Sequence, residues 1–201
     1  MKDSNSMQER QKEIVEAAKQ LFFSKGYEAT STVDIMKAVG IAKGTLYYYF
    51  SSKEEILDAL IEDITDQMVI RAQKVLDNKA LSVIDRMVGI IAAISLDGNE
   101  DTAVLDVLHL PQNDLFHQKS YKLMIDKISP IMLSAVEKGM EEGIFRTDYP
   151  QAAVHMAMTY SLTTFESNQI NPEFVKGFIY HLERILGAEE GSLKQFMKLF
   201  Q

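Results

Sequence analysis

Cysteine is absent from this 201-residue chain. Without it there is no disulfide framework, no thiolate zinc site, no thiol nucleophile and no thiol redox switch. Long apolar runs are missing too: none approaches the roughly 20 residues that span a bilayer. The opening "MKDSNSMQERQKEIV" has no apolar core of the kind a signal peptide needs. The expected compartment is cytoplasmic, with no membrane partner. Catalytic signatures are also lacking. No phosphate-cradling glycine-rich loop, Gly-x-Ser-x-Gly or His-Glu-x-x-His occurs, and the carboxylate pairs Glu54/Glu55 and Glu141/Glu142 fall on expected solvated helix ends. His109 and His117 stand eight apart across Pro111, which is not a metal-ligand spacing. The composition therefore points to a non-enzyme with no metal or other cofactor.

Positive charge is scarce overall. The formal net charge is −8, which by itself opposes a nucleic-acid partner. Its distribution says otherwise for one part of the chain. Residues 1–53 hold eight Lys/Arg against six Asp/Glu, a net of +2, whereas residues 54–201 hold 13 against 23, a net of −10. Only the first region tolerates a polyanion. With 46% hydrophobic residues the chain can bury a full core, as one compact domain or as a small domain joined to a larger one.

What is present is helical periodicity. Ile14, Ala17, Ala18, Leu21 and Phe22 share one helix face, and Gly26 is a stop signal. Ser31 and Asp34 form a variant capping box before a two-turn helix that Gly40 closes. A second short helix follows over about 42–50. Ser52 and Glu55, again in capping-box spacing, open a long fourth helix through Ile56, Leu57, Leu60, Ile61, Ile64 and Met68.

Later segments predict a helix around Leu81–Ile91 and a short one at Val104, Leu105 and Leu108. A long helix follows over about 115–142 with Pro130 inside it, and two more begin near Pro150 and Pro172. An amphipathic piece from Leu193 to Phe200 would bring the total to nine or ten. No strand alternation, internal repeat or low-complexity segment occurs, so the expected class is all-α.

The stretch "GIAKGTLYYYFSSK" joins the two short helices and contains three successive tyrosines. Two short helices with a glycine turn, braced by a longer helix, have the proportions of a helix-turn-helix, whose second helix enters the DNA major groove. On a helix, Leu46 and Phe50 share one face and can anchor it, leaving Lys43, Thr45, Tyr48 and Tyr49 on others. Tyrosine hydroxyls can donate to phosphate oxygens, and Lys43 and Thr45 near the helix start can reach bases or phosphates.

"TSTVDIMKAVGIAKGTLYYYFSSKEEIL" closely resembles the DNA-binding signature of the tetracycline-repressor (TetR) family of bacterial transcription regulators, over about residues 8–62. The resemblance implies a homodimer that binds a double-stranded DNA operator and an unidentified small-molecule effector. It implies a three-helix DNA-binding domain over 1–53, linked by the fourth helix to a ligand-binding and dimerisation domain over 54–201. Residue by residue, it places Thr32 on a phosphate and Val33 near the groove. Lys43, Gly44, Thr45 and Tyr47 come at or near bases, with Tyr48, Tyr49 and Lys53 on the DNA backbone.

Alternatives stand beside three of these: Tyr47 as a core residue, Lys53 as a solvated helix start, and Thr32 as a second helix-start residue. One departure is Ala42, where the family usually has a capping serine; its loss costs the helix about 1 kcal/mol.

The C-terminal portion has no comparable motif. From the resemblance, a ligand pocket is expected among the later helices, with Met87, Ile91, Leu105, Leu108, His109, Phe116, Met124 and Tyr160 as candidate lining. The segment "PQAAVHMAMTYSLTTFES" is apolar or small on nearly every side, and Phe174, Val175, Phe178, Ile179, Leu182, Ile185 and Leu186 form a broad stripe. Two such helices suit a symmetric four-helix dimer face, for which Ala153, Ala157, Ser161, Phe174, Phe178, Leu182 and Ile185 are the candidates.

The function expected from all this is a ligand-responsive repressor. The alternatives are an activator or ligand-independent regulator of the same family, or a dimeric small-molecule carrier without DNA activity.

Overall fold

The computed structural model describes residues 2–94, 114–164 and 171–200. Among these it holds eight α-helices and one 3-10 helix, and no strand. The fold class is all-α, as the periodicity predicts. The expected short helix at Val104, Leu105 and Leu108 lies outside the described residues, as does His109.

Local chemistry accounts for most helix ends. Helix α1 (Lys2–Lys25) stops at Gly26, whose φ of 88° is left-handed backbone that suits a residue without a Cβ. Helix α2 (Thr32–Val39) starts from Ser31, whose Oγ accepts from the Asp34 N–H, while the Asp34 carboxylate accepts from the Ser31 N–H at 2.9 Å. The expected capping box is complete. Helix α3 (Lys43–Tyr49) begins at Ala42 with no side-chain cap.

Helix α4 (Lys53–Leu76) shows a divided cap. Ser52 Oγ accepts from the Glu55 N–H, but the Glu55 carboxylate takes the N–H and hydroxyl of Ser51, both at 2.6 Å, instead of closing on Ser52. Helices α5 (Val83–Ile94), α6 (Asp114–Glu141), α7 (Pro150–Thr164) and α8 (Pro172–Leu186) follow, and Pro130 is accommodated inside α6. The last expected helix is a 3-10 helix, Lys194–Phe200.

The chain divides into two compact units. The first comprises Met1–Thr65 with Gly98–Ser120, of which 114–120 are described; the second comprises Asp66–Asp97 with Tyr121–Gln201. The first is built on Ile14, Ala18, Phe22, Tyr27, Ile35, Leu46, Phe50, Ile56, Leu57 and Leu60, all buried. These come from α1 to α4 and the segments joining them, with Ile35 of α2 and Leu46 of α3 each anchoring a short helix to a shared core.

In the second unit the core includes Met87, Ile90, Ile128, Val136, Val154, Val175, Ile179, Leu186 and Phe196. The 3-10 helix is held against α5 and α8. Buried Glu183 of α8 fastens its start, since its carboxylate accepts from the Gly191 and Leu193 N–H groups at 3.0 and 2.9 Å. A buried carboxylate is tolerated there because backbone donors replace its water.

Candidate nucleic-acid interface

The two short helices meet at Gly40, whose φ of 73° closes α2 while its N–H donates to the Met36 carbonyl. This turn sets the start of α3 by backbone geometry. Helix α3 then rotates its side chains into two sets. Leu46 is 1% exposed and Phe50 is buried, fixing the inner face as expected. Lys43, Gly44, Tyr47 and Tyr48 are exposed on the opposite arc, with Thr45 and Tyr49 half-buried at its edge.

Tyr48 is 69% exposed and Tyr47 45%, so the Tyr47 ring is a surface group and not a core one. The Lys43 ammonium lies 5.8 Å from the centre of the Tyr47 ring, and the Tyr48 and Tyr49 rings meet edge-on at 5.0 Å. These aromatic contacts restrict the side chains that carry the polar tips. The Tyr48 hydroxyl donates weakly to Met7 Sδ of α1 at 3.9 Å, a neighbour that the sequence gives no sign of.

Gly44 is informative through what surrounds it. A Cβ built there meets nothing within 4 Å. Glycine inside a helix costs roughly 0.5–1 kcal/mol relative to alanine, and no packing among the described residues requires it. The outer face of α3 is bare backbone at this position.

Val33 is exposed in the first turn of α2 and Thr32 is half-buried beside it. Lys53 has an internal partner. Its ammonium donates to the Tyr27 carbonyl at 2.8 Å and sits 4.1 Å from the centre of the Tyr27 ring, pinning the α1–α2 connection to the start of α4. Asp34 completes the scaffold. The Lys25 ammonium at 2.8 Å and the donors of Ser31 hold its carboxyl well below the usual carboxylate range, so the α2 cap is ionised at neutral pH.

The other expected residues divide between the units. Of the pocket candidates, Met87, Ile91, Met124 and Tyr160 belong to the second unit, whereas Phe116 belongs to the first, where its buried ring meets Phe23 of α1. Leu105, Leu108 and His109 lie outside the described residues. A shallow depression lined by Val69, Ile70, Gln73, Lys74, Asp77 and Asn78 shares none of these side chains.

Of the interface candidates, Ala153 and Leu182 are buried within their own unit and belong to its core. Phe174 and Ile185 are exposed; Ala157, Ser161 and Phe178 are half-buried. Met156 and Tyr180 are also exposed, though periodicity alone did not single them out. Tyr160 of α7 stacks on Phe178 of α8 at 5.5 Å and 11°.

A helix-turn-helix with a left-handed glycine turn, an anchored inner face and an exposed polar-aromatic outer face defines a DNA-binding regulator. Comparison with known proteins narrows the class. Residues 14–60 match the model for bacterial regulatory proteins of the tetR family, and residues 102–172 match a tetracyclin repressor-like C-terminal domain. The chain belongs to the TetR family; it is a transcription regulator and not an enzyme.

Among its relatives is the HTH-type transcriptional repressor KstR2 of Mycobacterium tuberculosis (strain ATCC 25618 / H37Rv). It is 29% identical over 143 residues, which cover 69% of this chain and 70% of the relative. The fatty acid metabolism regulator protein of Bacillus subtilis (strain 168) is 26% identical over 137 residues, covering 65% and 68%. The structure of RolR complexed with resorcinol shares the fold with a TM-score of 0.67 and 16% identity, covering 96% of this chain and 95% of that one. Among the described residues no helix is long and apolar enough to cross a membrane.

Proposed function

We propose that this chain is a cytoplasmic, homodimeric repressor that leaves a palindromic DNA operator when a small apolar or amphipathic ligand binds. Residues 1–53 are the DNA-binding domain and 54–201 the ligand-binding and dimerisation domain. The observation that carries the reading is the outer face of α3, with Lys43, Gly44, Tyr47 and Tyr48 exposed opposite buried Leu46. On this reading Lys43, Gly44, Thr45 and Tyr47 meet base edges. Thr32, Tyr48 and Tyr49 hold phosphates, Val33 lies near the groove, and Lys53 offers a phosphate the protons not used on Tyr27.

The dimer forms through α7 and α8. Phe174, Phe178, His181 and Ile185 recur at four- and three-residue steps on one side of α8, and Met156 and Tyr160 stand on α7. Exposed apolar side chains of this kind are what an isologous two-fold interface buries. Two reading helices then meet successive major grooves about 34 Å apart. A ligand held by the second domain, near α4 and α6, favours a conformer with a different spacing, and so releases the DNA.

Selection of bound sites from random duplex DNA tests the reading. A palindromic consensus is expected, bound with a steep dependence on salt as phosphate counterions are released. Absence of any enriched sequence overturns both the operator and the dimer.

A further inference from the structure

The apolar side of α1 continues past the end of its core. Ile14, Ala18 and Phe22 are buried along one side of the helix, and Met7 stands seven residues before Ile14, about two turns further along that side. There it is 42% exposed and reaches α3, where the Tyr48 hydroxyl donates to its Sδ at 3.9 Å. Both residues belong to the first unit. Met7 and Met156 are the exposed methionines among the described residues; the others are buried or half-buried.

A leucine at position 7 would cover the same surface. What the thioether adds is a weak acceptor and a sulfur lone pair that peroxides oxidise. The distance to Tyr48 gives that oxidation a consequence. At 3.9 Å the sulfur is a weak partner, which a phosphate oxygen displaces from the hydroxyl. A sulfoxide oxygen directed at the hydroxyl stands one S–O bond nearer, within the roughly 2.5–3.0 Å of an O–H···O hydrogen bond. It competes for the same proton, and it turns the negative end of the S–O dipole toward any phosphate beside Tyr48.

We propose that Met7 is an oxidation site that controls DNA binding: a hydroperoxide converts its thioether to the sulfoxide, which captures the Tyr48 hydroxyl and withdraws it from the DNA backbone. This rests on the reading of the chain as an operator-binding regulator in which Tyr48 holds a phosphate. With hydrogen peroxide, the Sδ lone pair attacks one peroxide oxygen, and the S–O bond forms as the O–O bond breaks. The departing hydroxide takes the proton of the transferred hydroxyl and leaves as water, so sulfur is oxidised and the peroxide reduced. Thiol-dependent sulfoxide reductases, one for each sulfoxide epimer, return the thioether.

The test treats the full chain with hydrogen peroxide and locates the added oxygen by peptide mass spectrometry. Affinity is then measured for the duplex the untreated chain enriches from random DNA and for an unrelated duplex. Met7 is expected to oxidise before the buried Met68, Met87, Met132 and Met158. Affinity should fall by about fivefold on both duplexes alike, as loss of a phosphate contact predicts, and return after reductase treatment.

The response of each variant is read as its own ratio of affinities before and after peroxide. Met7→Leu should show no response at the dose that converts Met7. Met7→Gln, which puts an amide oxygen near the place of the sulfoxide oxygen, should bind as the oxidised wild type does without any treatment. In Tyr48→Phe, which has no hydroxyl to capture, Met7 should still oxidise with no further loss of affinity.

A response that persists in Met7→Leu or Tyr48→Phe, unchanged affinity once Met7 is oxidised, or a Met7 no more reactive than the buried methionines overturns this role and leaves the regulator reading in place. If the untreated chain enriches no duplex, that reading fails and this inference with it.

Discussion

On the proposed reading the tyrosine hydroxyl and the lysine ammonium on α3 do different work, and single atoms separate them. Tyr48 is the most exposed ring of its helix, and its hydroxyl makes a weak contact to Met7. A hydroxyl that holds a phosphate carries no sequence information, whereas an ammonium at the helix start can choose among base edges. Tyr48→Phe is therefore expected to weaken operator and non-operator duplexes alike, by roughly 0.5–1.5 kcal/mol. Lys43→Ala is expected to change which sequence is preferred. Competition binding at one fixed salt concentration separates the two outcomes.

At the scale of the helix, α3 is built against its own stability. It is seven residues long, begins at Ala42 without a side-chain cap and carries Gly44 in its first turn. Both features weaken an isolated helix, so burial of Leu46 and Phe50 and the bracing of α2 by the Ser31–Asp34 box must hold it. Because nothing lies within 4 Å of a Cβ at Gly44, Gly44→Ala is expected to raise folding stability by roughly 0.5–1 kcal/mol. If the bare backbone serves the DNA, the same change lowers operator affinity. Thermal unfolding and DNA titration of one sample check the two signs together, and a gain in both would remove Gly44 from the interface.

At the scale of the whole molecule, assembly depends on the apolar side of α8. Phe174 is 59% exposed in the single chain, so its replacement leaves the subunit core untouched. Phe174→Glu places a charge where the proposed two-fold interface excludes water. It is expected to cost at least about 2 kcal/mol of dimer stability, as a central interface aromatic does. Sedimentation should show a monomer with unchanged helix content, and affinity for a palindrome should fall toward that for a single half-site.

Much of this was legible in residue order, because helix periodicity, capping pairs and glycine stops act within one or two turns of chain. Ser31 with Asp34, Gly40 at the turn and Leu46 with Phe50 each fixed local geometry through neighbours three or four residues away, and the N-terminal motif carried the family. Tertiary structure decided what distance along the chain conceals. The stripe from Phe174 to Leu186 is too broad to divide by pattern alone, and packing put Leu182 inside while leaving Phe174 and Ile185 outside.

Phe116, expected in a pocket, belongs to the first unit against Phe23. Lys119 finds Asp58 across 61 residues. Periodicity names the faces a helix offers; which partner each face meets depends on where distant helices pack, and no spacing within a single helix contains that.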